Sequence, residues 1–338
     1  IGKALTDTAR NFAGVQAAMA DAATQLGHDL GSLLAATDVF IYGTTRATNA
    51  IVTQRTARTA MLLTEGFPDI LVYRQGGKLN PHQLNVDYPD PYVPRHLTFE
   101  IPERIDAEGS VVRALDEARV RAVLAEVAAA GVEAVAVCLL WSIANPAHER
   151  RVGELVAELL PGVPCTLSHE LNPVLREYPR ASSTAIDASL KPLMQEQLRL
   201  LERHLAESGY SGDILVSASV GGVMHVEDMI ERPIYLMKSG PAMAPIAGLS
   251  YAELEALGSN VVVVDTGGTT FDVSLVRDGQ VSLMRETAPT EIYTGHLLGM
   301  GSVDIRSIGA GGGSIAWVDA GGLLRVGPQS AGSRPGPA

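Results

Sequence analysis

The sequence predicts a layered α/β protein. Three observations lead to this class: short apolar runs typical of buried strands alternate with stretches of helical periodicity, and glycine turns separate them. Apolar residues make up 46% of the chain and charged residues 19%, as in ordinary globular domains. With 338 residues the chain is long enough for two or three domains with cores of their own.

The chain opens with a β-α-β pattern. Apolar residues recur every three or four positions over 12–26, which predicts a helix ending near Gly27. The apolar run 39–42 predicts a strand, followed by a glycine turn, a helix up to Gln54 and a buried strand at 60–63.

Residues 74–113 form an excursion in which five prolines exclude a long helix. Its aromatic residues Tyr88, Tyr92 and Phe99 favour ordered packing, and with the segment 76–78 it is a candidate lining for a substrate pocket.

Helix and strand patterns then alternate regularly, and near residue 235 the composition changes towards small residues and glycine pairs. Before this boundary the pattern predicts a helix capped by Asp116 and ended by Gly131, a strand at 135–140, a helix from 145, an extended segment at 165–168, a helix around 185–208 and a strand at 214–217. After it, Gly240 and Pro241 open a helix of small residues.

Charge and cysteine content exclude several classes of function. The formal net charge is −12, which argues against general nucleic-acid binding because phosphate contacts need clustered basic residues. No apolar stretch approaches the roughly 20 residues needed to span a membrane. Cys138 and Cys165 lack metal-site spacing and are interpreted as free thiols, as in a reducing cytoplasm.

The segment 261–276 carries the strongest local signal. Four valines predict a buried central strand that ends at Asp265, and alternation resumes at Asp272. Between them, Gly267 and Gly268 permit φ values closed to other residues and let a ligand approach the backbone. Their amides, together with the hydroxyls of Thr269 and Thr270, can line an anion pocket. A tight hairpin with glycines for geometry alone is the alternative.

A second glycine motif lies about 40 residues later. Gly311, Gly312 and Gly313 stand between apolar residues and allow close backbone approach to a flat or charged ligand, although a flexible loop has the same composition. The histidines of the chain show no metal-binding spacing. His296, which lies between the two glycine motifs, is the best single candidate for a metal ligand. Lys78 and Lys238 could touch substrate or phosphate, but solvated lysines are more common.

These motifs resemble a known family. The segment 265–272 resembles the second phosphate motif of the actin/hexokinase/Hsp70 superfamily, and the whole chain resembles the hydantoinase A/oxoprolinase family. The segments that carry the narrower resemblance are 43–50, 64–69, 102–104, 177–180, 239–241, 302–305, 307–316 and 326–332. The resemblance implies an actin/hexokinase-like (ribonuclease H-like) two-lobed ATPase fold, with a first lobe over 1–235 and a second, nucleotide-binding lobe over 236–338.

The resemblance also implies a function. It is that of an ATP-dependent hydrolase subunit, which phosphorylates a carbonyl or amide oxygen of a hydantoin, 5-oxoproline or lactam and so drives ring opening. The alternatives are a subunit of an ATP-dependent ketone carboxylase, a non-catalytic nucleotide-gated binding protein, and a degenerate scaffold subunit. A companion subunit of the hydantoinase B type is expected as partner.

By the same resemblance, particular residues receive roles with ATP and Mg²⁺. Asp265 would hold Mg²⁺ or its water, with Asp272 beside it in a catalytic role. The β- and γ-phosphates would be bound by Gly267, Gly268, Thr269 and Thr270, and adenosine by Gly311, Gly312 and Gly313. The cleft would be lined from the first lobe by Gly43, Thr44, Thr45 and Asn49, although helix capping also explains Thr45 and Asn49.

One part of the superfamily pattern is missing from the chain. A first Asp-Gly-Gly-Thr hairpin would precede the helix at 12–26, and relatives continue beyond Ala338. We therefore expect weak or absent nucleotide binding if Ile1 is the true start.

Overall fold

The computed structural model describes residues 1–4, 12–75, 90–268, 270–284, 296–332 and 336. The chain divides into two compact units. Unit 1 comprises Ile1–Val216, Val223–Met237 and Glu286–Met300, and unit 2 comprises Ser217–Gly222, Lys238–Arg285 and Gly301–Ala338. The division into lobes at residue 235 stays a prediction.

Unit 1 combines helices with sheets that contain parallel strands. Its helices are α1 (Ala13–Gln25), α2 (Leu30–Ala35), α3 (Arg46–Val52), α4 (Ile70–Tyr73), α5 (Glu117–Ala129), α6 (Ala147–Leu159), α7 (Ser168–Leu171), α8 (Glu177–Glu207) and α9 (Val226–Glu231). Strands β1 to β9 are Val39–Tyr42, Thr59–Thr64, Thr98–Ile101, Arg104–Ile105, Val111–Arg113, Ala134–Cys138, Cys165–Leu167, Asp213–Ala218 and Gly222–His225. The last two residues of β8 and the first of β9 belong to unit 2.

A parallel four-stranded sheet with the order β3-β2-β6-β7 forms the centre of unit 1. One face packs against apolar side chains of α5 and α6, and the other against α8. All six residues of β2 and all five of β6 are buried, as expected for strands covered on both faces. A second sheet has the order β1-β8-β9, with β1 and β8 parallel.

The structure corrects two expectations in unit 1. The excursion contains the core strand β3, because the prolines at 94 and 102 lie just outside it and leave its backbone free to pair. Helix α8 begins at Glu177 rather than near 185, since Pro179 stands in the first turn, where no amide donor is needed. Residues 76–89, which include Lys78 and Tyr88, lie outside the described residues.

Unit 2 is built around an antiparallel sheet. It contains α10 (Ser239–Leu254) and strands β10 to β17, which are Val261–Thr266, Phe271–Arg277, Gln280–Val281, Leu283–Met284, Ser302–Val303, Ile305–Ile308, Ser314–Val318 and Leu324–Ser330. Strand β11 pairs with β10 and with β15, and β16 pairs with β17.

Helix α10 covers one face of strand β10. A Cβ atom added at Gly248 would lie 2.4 Å from Val263 Cγ2, so the glycine lets helix and strand approach closely. On the other face Val262 and Val264 are 65% and 53% exposed. The prediction of a strand buried on both faces was therefore wrong for β10: its valines serve one covered face of an antiparallel pair.

None of the helices in the described part of the chain is long and apolar enough to cross a membrane.

Candidate functional site

The predicted hairpin is present in unit 2. Strands β10 and β11 pair in a register that places Asp265 directly opposite Asp272, at the end of the pair next to the turn. The Gly267 amide donates a hydrogen bond to the Thr270 carbonyl at 2.9 Å, which closes the turn. Thr269 lies outside the described residues.

The glycines of this turn leave their surroundings open. A Cβ atom at Gly268 would meet no atom within 4 Å, and one at Gly267 would meet only the Thr270 carbonyl oxygen, at 3.7 Å. Neither glycine has a positive φ, so the expectation that they supply special φ values was wrong. Their contribution is a bare backbone that a ligand can approach.

The second glycine motif lies against this turn. The Gly312 amide donates to the Gly267 carbonyl at 2.9 Å, and the Gly311 amide donates to the Ser314 hydroxyl at 2.9 Å. A Cβ atom at Gly313 would lie 2.8 Å from Ser330 Oγ, so a larger residue there would require the Ser330 side chain at the end of β17 to move. The structure thus joins the two glycine motifs into one surface.

Asp272 is the most enclosed acid of this surface. Its Oδ2 accepts a hydrogen bond from the Thr270 hydroxyl at 3.3 Å. Its Oδ1 is buried, and no described residue donates a hydrogen bond to it. A buried carboxylate oxygen without a donor is costly, which marks a position where a cation or a ligand donor fits.

Lys238 lies close to Asp272. Burial lowers the pKa of the Lys238 amine; the nearby Asp272 carboxylate opposes this shift, and Arg306 adds to it. The residue has a left-handed backbone, with φ +56°, immediately before α10. Sequence reasoning favoured a solvated lysine here, whereas the structure shows a half-buried one. The only signal was its position before the motif at 239–241.

The predicted residues of the first lobe belong to unit 1. Gly43, Thr44 and Thr45 connect β1 to α3, and Asn49 lies in that helix. Thr45 occupies the N-cap position but its hydroxyl does not cap the helix; it accepts a hydrogen bond from Asn49 Nδ2 at 3.3 Å. Thr44 Oγ1 accepts from the Arg46 amide at 3.2 Å.

His296 is partly buried in unit 1. Burial, with a smaller effect of the nearby Arg74 charge, lowers its pKa to about 4. Its ring lies edge-on to that of Tyr92, with 5.3 Å between the centroids. It is therefore neutral at pH 7 and packed against an aromatic residue. In the described ranges no group of three or more His, Cys, Asp or Glu residues is arranged to hold a metal.

Comparison with known families gives two matches. The model described as Hydantoinase/oxoprolinase matches residues 180–338, and the one described as Hydantoinase/oxoprolinase N-terminal region matches residues 1–160.

Individual relatives agree with these matches. Caprolactamase subunit alpha from Pseudomonas jessenii is 36% identical over 94% of this chain and 45% of its own length. The acetophenone carboxylase gamma subunit from Aromatoleum aromaticum is 35% identical over 93% of this chain and 44% of its own. The chain thus spans about half the length of these relatives.

Solved structures share the fold. A crystal structure of ATP-dependent caprolactamase from Pseudomonas jessenii has a TM-score of 0.82 at 36% identity, covering 94% of this chain and 46% of that one. A nucleotide-free acetone carboxylase structure has a TM-score of 0.81 at 28% identity, covering 98% of this chain and 48% of that one. The predicted α/β fold of the actin/hexokinase-like ATPase class is confirmed.

Proposed function

Because the chain belongs to the hydantoinase/oxoprolinase family, we propose that it acts in an ATP-dependent enzyme that phosphorylates the carbonyl oxygen of a cyclic amide to drive ring opening. The observation that carries the proposal is the hairpin β10–β11, with two aspartates in facing positions and a second glycine motif hydrogen-bonded to its turn. The similarity to caprolactamase subunit alpha favours a lactam or related cyclic amide as substrate.

The phosphates of ATP would be bound at the hairpin turn. The Gly268 amide and the hydroxyls of Thr269 and Thr270 would supply donors for phosphate oxygens, while Gly267, whose amide closes the turn, would let the phosphates approach the backbone. The charge of Lys238 would add to the neutralisation of phosphate, which together with positioning is the main requirement for phosphoryl transfer. The loop with Gly311, Gly312 and Gly313 would contact adenosine. The nucleotide-binding roles of Gly43, Thr44, Thr45 and Asn49 stay predictions.

The two aspartates fit a magnesium ion. Mg²⁺ in such sites is usually held through one or two carboxylates and by substrate phosphates, while it keeps several waters. Asp265 is exposed at the strand end, and Asp272 has an oxygen without a donor among the described residues. Asp265 would thus hold Mg²⁺ or its water and Asp272 would assist it. The bound ion would offset phosphate charge.

The chemistry follows from what phosphorylation does to an amide. The amide oxygen attacks the γ-phosphorus, and ADP leaves. Water then adds to the activated carbon, and the ring C–N bond breaks as the amine leaves, which gives an acyl phosphate. A second water hydrolyses this acyl phosphate, so that the former amide oxygen departs with the phosphate. The products are a carboxylate and an amine, together with ADP and phosphate.

A ketone carboxylase is the second candidate function. It is favoured by the 35% identity to the acetophenone carboxylase gamma subunit and by the TM-score of 0.81 to acetone carboxylase. In that reaction the phosphorylated oxygen would be that of a ketone enol, and bicarbonate would supply the carboxyl group. Because the named relatives are subunits, a companion chain of the hydantoinase B type is part of either proposal.

Phosphate release by the full-length protein with its companion subunit, ATP and Mg²⁺ tests both candidates. The panel contains hydantoins, 5-oxoproline, small lactams, and ketones with and without bicarbonate. We expect stimulation by one cyclic amide, lost in Asp265→Ala and kept in Glu253→Ala, an exposed acid on α10. Stimulation that requires a ketone and bicarbonate would move the assignment to the carboxylase.

A further inference from the structure

A cavity of about 240 Å³ lies in unit 1 at the carboxyl end of the parallel sheet. The chain runs from β2 to its neighbour β3 and later returns to β6 on the other side of β2, so the strand order reverses between β2 and β6. In open parallel sheets, ligands bind outside the carboxyl ends of the strands at such a reversal. We call this cavity the switch-point pocket; its lining residues are Phe67, Ile70, Arg74, Arg104, Leu140, Trp141, Glu177 and Tyr178.

Two arginines give the switch-point pocket its chemical character. The Arg104 guanidinium lies over the Phe67 ring, 5.0 Å from its centroid, and the Arg74 guanidinium lies 5.9 Å from the Tyr178 centroid. Stacking on a ring face orients a guanidinium, and the N–H groups of Arg104 stay available to a carboxylate. Glu177 is the single acid of the lining, so the lining carries a net positive charge. Among the described residues, neither Arg104 nor Glu177 forms an ion pair.

The backbone is strained at two lining residues. Arg74 has φ +58° and Trp141 has φ +54°, in the left-handed region that bulky side chains rarely adopt. Such strain costs on the order of 1–3 kcal/mol and persists where surrounding structure imposes it, often at ligand sites. It turns the ends of α4 and β6 towards the same cavity.

Buried polar side chains hold the walls of the pocket. The buried Glu103 carboxylate accepts from Thr64 Oγ1 and lies 2.9 Å from His148 Nδ1. Thr64 in turn accepts from the Leu140 amide at 2.9 Å, next to Trp141. These bonds fix the ends of β2 and β6, and they explain motifs in 64–69 and 102–104 that the phosphate site does not use. A preorganised lining of this kind is what a specific binding site needs.

We propose that the switch-point pocket binds the carboxylate of a small, partly apolar ligand through Arg74 and Arg104. Aromatic and aliphatic side chains of the lining would contact the rest of the molecule. The volume is below the roughly 300–1,000 Å³ of pockets for drug-sized ligands, which restricts the ligand to a small metabolite. The ring-opened product of a cyclic amide carries a carboxylate and an amine, which match the arginines and Glu177; only this connection rests on the proposed function.

Fluorine NMR of the full-length protein labelled with 5-fluorotryptophan tests the proposal without ATP. The chain has two tryptophans, Trp141 and Trp317, so Trp317→Phe assigns both resonances. Addition of 5-aminopentanoate is expected to shift the Trp141 resonance in a saturable manner and to leave that of Trp317 in place. Pentylamine, which lacks the carboxylate, is expected to shift neither.

The arginine variants decide the recognition. Loss of a charge-assisted pair weakens binding by about tenfold or more, so Arg104→Gln and Arg74→Gln should each raise the dissociation constant by at least that factor. Arg121→Gln, which removes an exposed arginine paired with Glu158, should leave it unchanged. The unperturbed Trp317 resonance and the melting temperature report that each variant is folded. No shift of Trp141, or equal affinity in folded Arg104→Gln, overturns the proposal and leaves phosphate release untouched.

Discussion

Glu149 is the buried acid that we expect to hold the carboxyl end of β6 in place. Its side chain is fully buried in unit 1. Its Oε2 accepts from the Leu139 amide at 2.7 Å, and its Oε1 accepts from the His169 amide at 2.9 Å and lies 2.8 Å from His169 Nδ1. The Ser168 hydroxyl lies within 3.0 Å of both oxygens.

Replacement by glutamine keeps the shape of Glu149 and removes one acceptor. Whichever way the new amide points, its NH₂ group faces a backbone amide, either that of Leu139 or that of His169. One buried N–H is then left without an acceptor, which costs about 1–3 kcal/mol, and hydrogen bonds to a charged acceptor are each stronger by about 1 kcal/mol than neutral ones. We expect Glu149→Gln to lower the free energy of unfolding by about 2–5 kcal/mol.

Urea unfolding followed by Trp141 fluorescence in a Trp317→Phe background measures this loss in unit 1. The matched control is Glu154→Gln on the same helix, an exposed acid with Arg151 at 2.6 Å, and we expect no measurable change there because exposed ion pairs contribute little. A loss below about 1 kcal/mol for Glu149→Gln, the size of an average substitution, would refute the reasoning.

Three further predictions concern burial, space and charge. Burial raises the pKa of Asp187 to about 6. The free energy of unfolding of the wild type should therefore fall relative to that of Asp187→Asn as pH rises from about 4 through 6. The same difference in free energy of unfolding between the two proteins at pH 4 and pH 7 would contradict this. Gly268→Ala should keep the melting temperature and weaken ATP binding in calorimetry, because its side chain would point into open space. Gly248→Ala is crowded by Val263 and should lower the free energy of unfolding by about 1–3 kcal/mol. Unchanged ATP binding in Gly268→Ala would contradict the placement of the phosphates. Lys238→Met should lower ATP affinity by about tenfold in titration calorimetry, with partial rescue by Lys238→Arg, and unchanged affinity would remove this lysine from the site.

Apolar runs and helical periodicity predicted several elements at or close to their observed bounds. The strand Val39–Tyr42 has the predicted bounds, and α5 begins after the predicted cap, where Asp116 accepts from the Arg119 amide at 3.0 Å. The first two turns of α8 escaped prediction because the buried residues there are polar; among them are Arg180, Ser182, Ser183 and Thr184. Arg180 Nη2 donates to the Leu139 carbonyl at 2.9 Å, and a tertiary contact of this kind cannot be predicted from the local sequence pattern.

The candidate site was predictable only to the level of its motifs. The order of residues in 261–276 was sufficient for the hairpin, whereas the register that places Asp265 opposite Asp272 is known from the structure alone. The bond from the Gly312 amide to the Gly267 carbonyl and the burial of Lys238 beside Asp272 depend on segments distant in sequence. Their prediction would have required knowledge of how β15 and α10 pack around the hairpin.

A glycine in a sequence can indicate either close packing or a backbone left open to a ligand, and the structure distinguishes the two cases. Gly248 stands where a Cβ atom would lie 2.4 Å from Val263 Cγ2, so the close packing of helix and strand accounts for it. Gly268 stands in open space with an ordinary φ, where neither crowding nor backbone conformation demands the residue. A position that the fold leaves free to carry any side chain, next to an enclosed carboxylate and a half-buried lysine, is best explained by the approach of a ligand. The phosphate proposal therefore depends on that open turn, and gains nothing from a glycine such as Gly248 that serves packing.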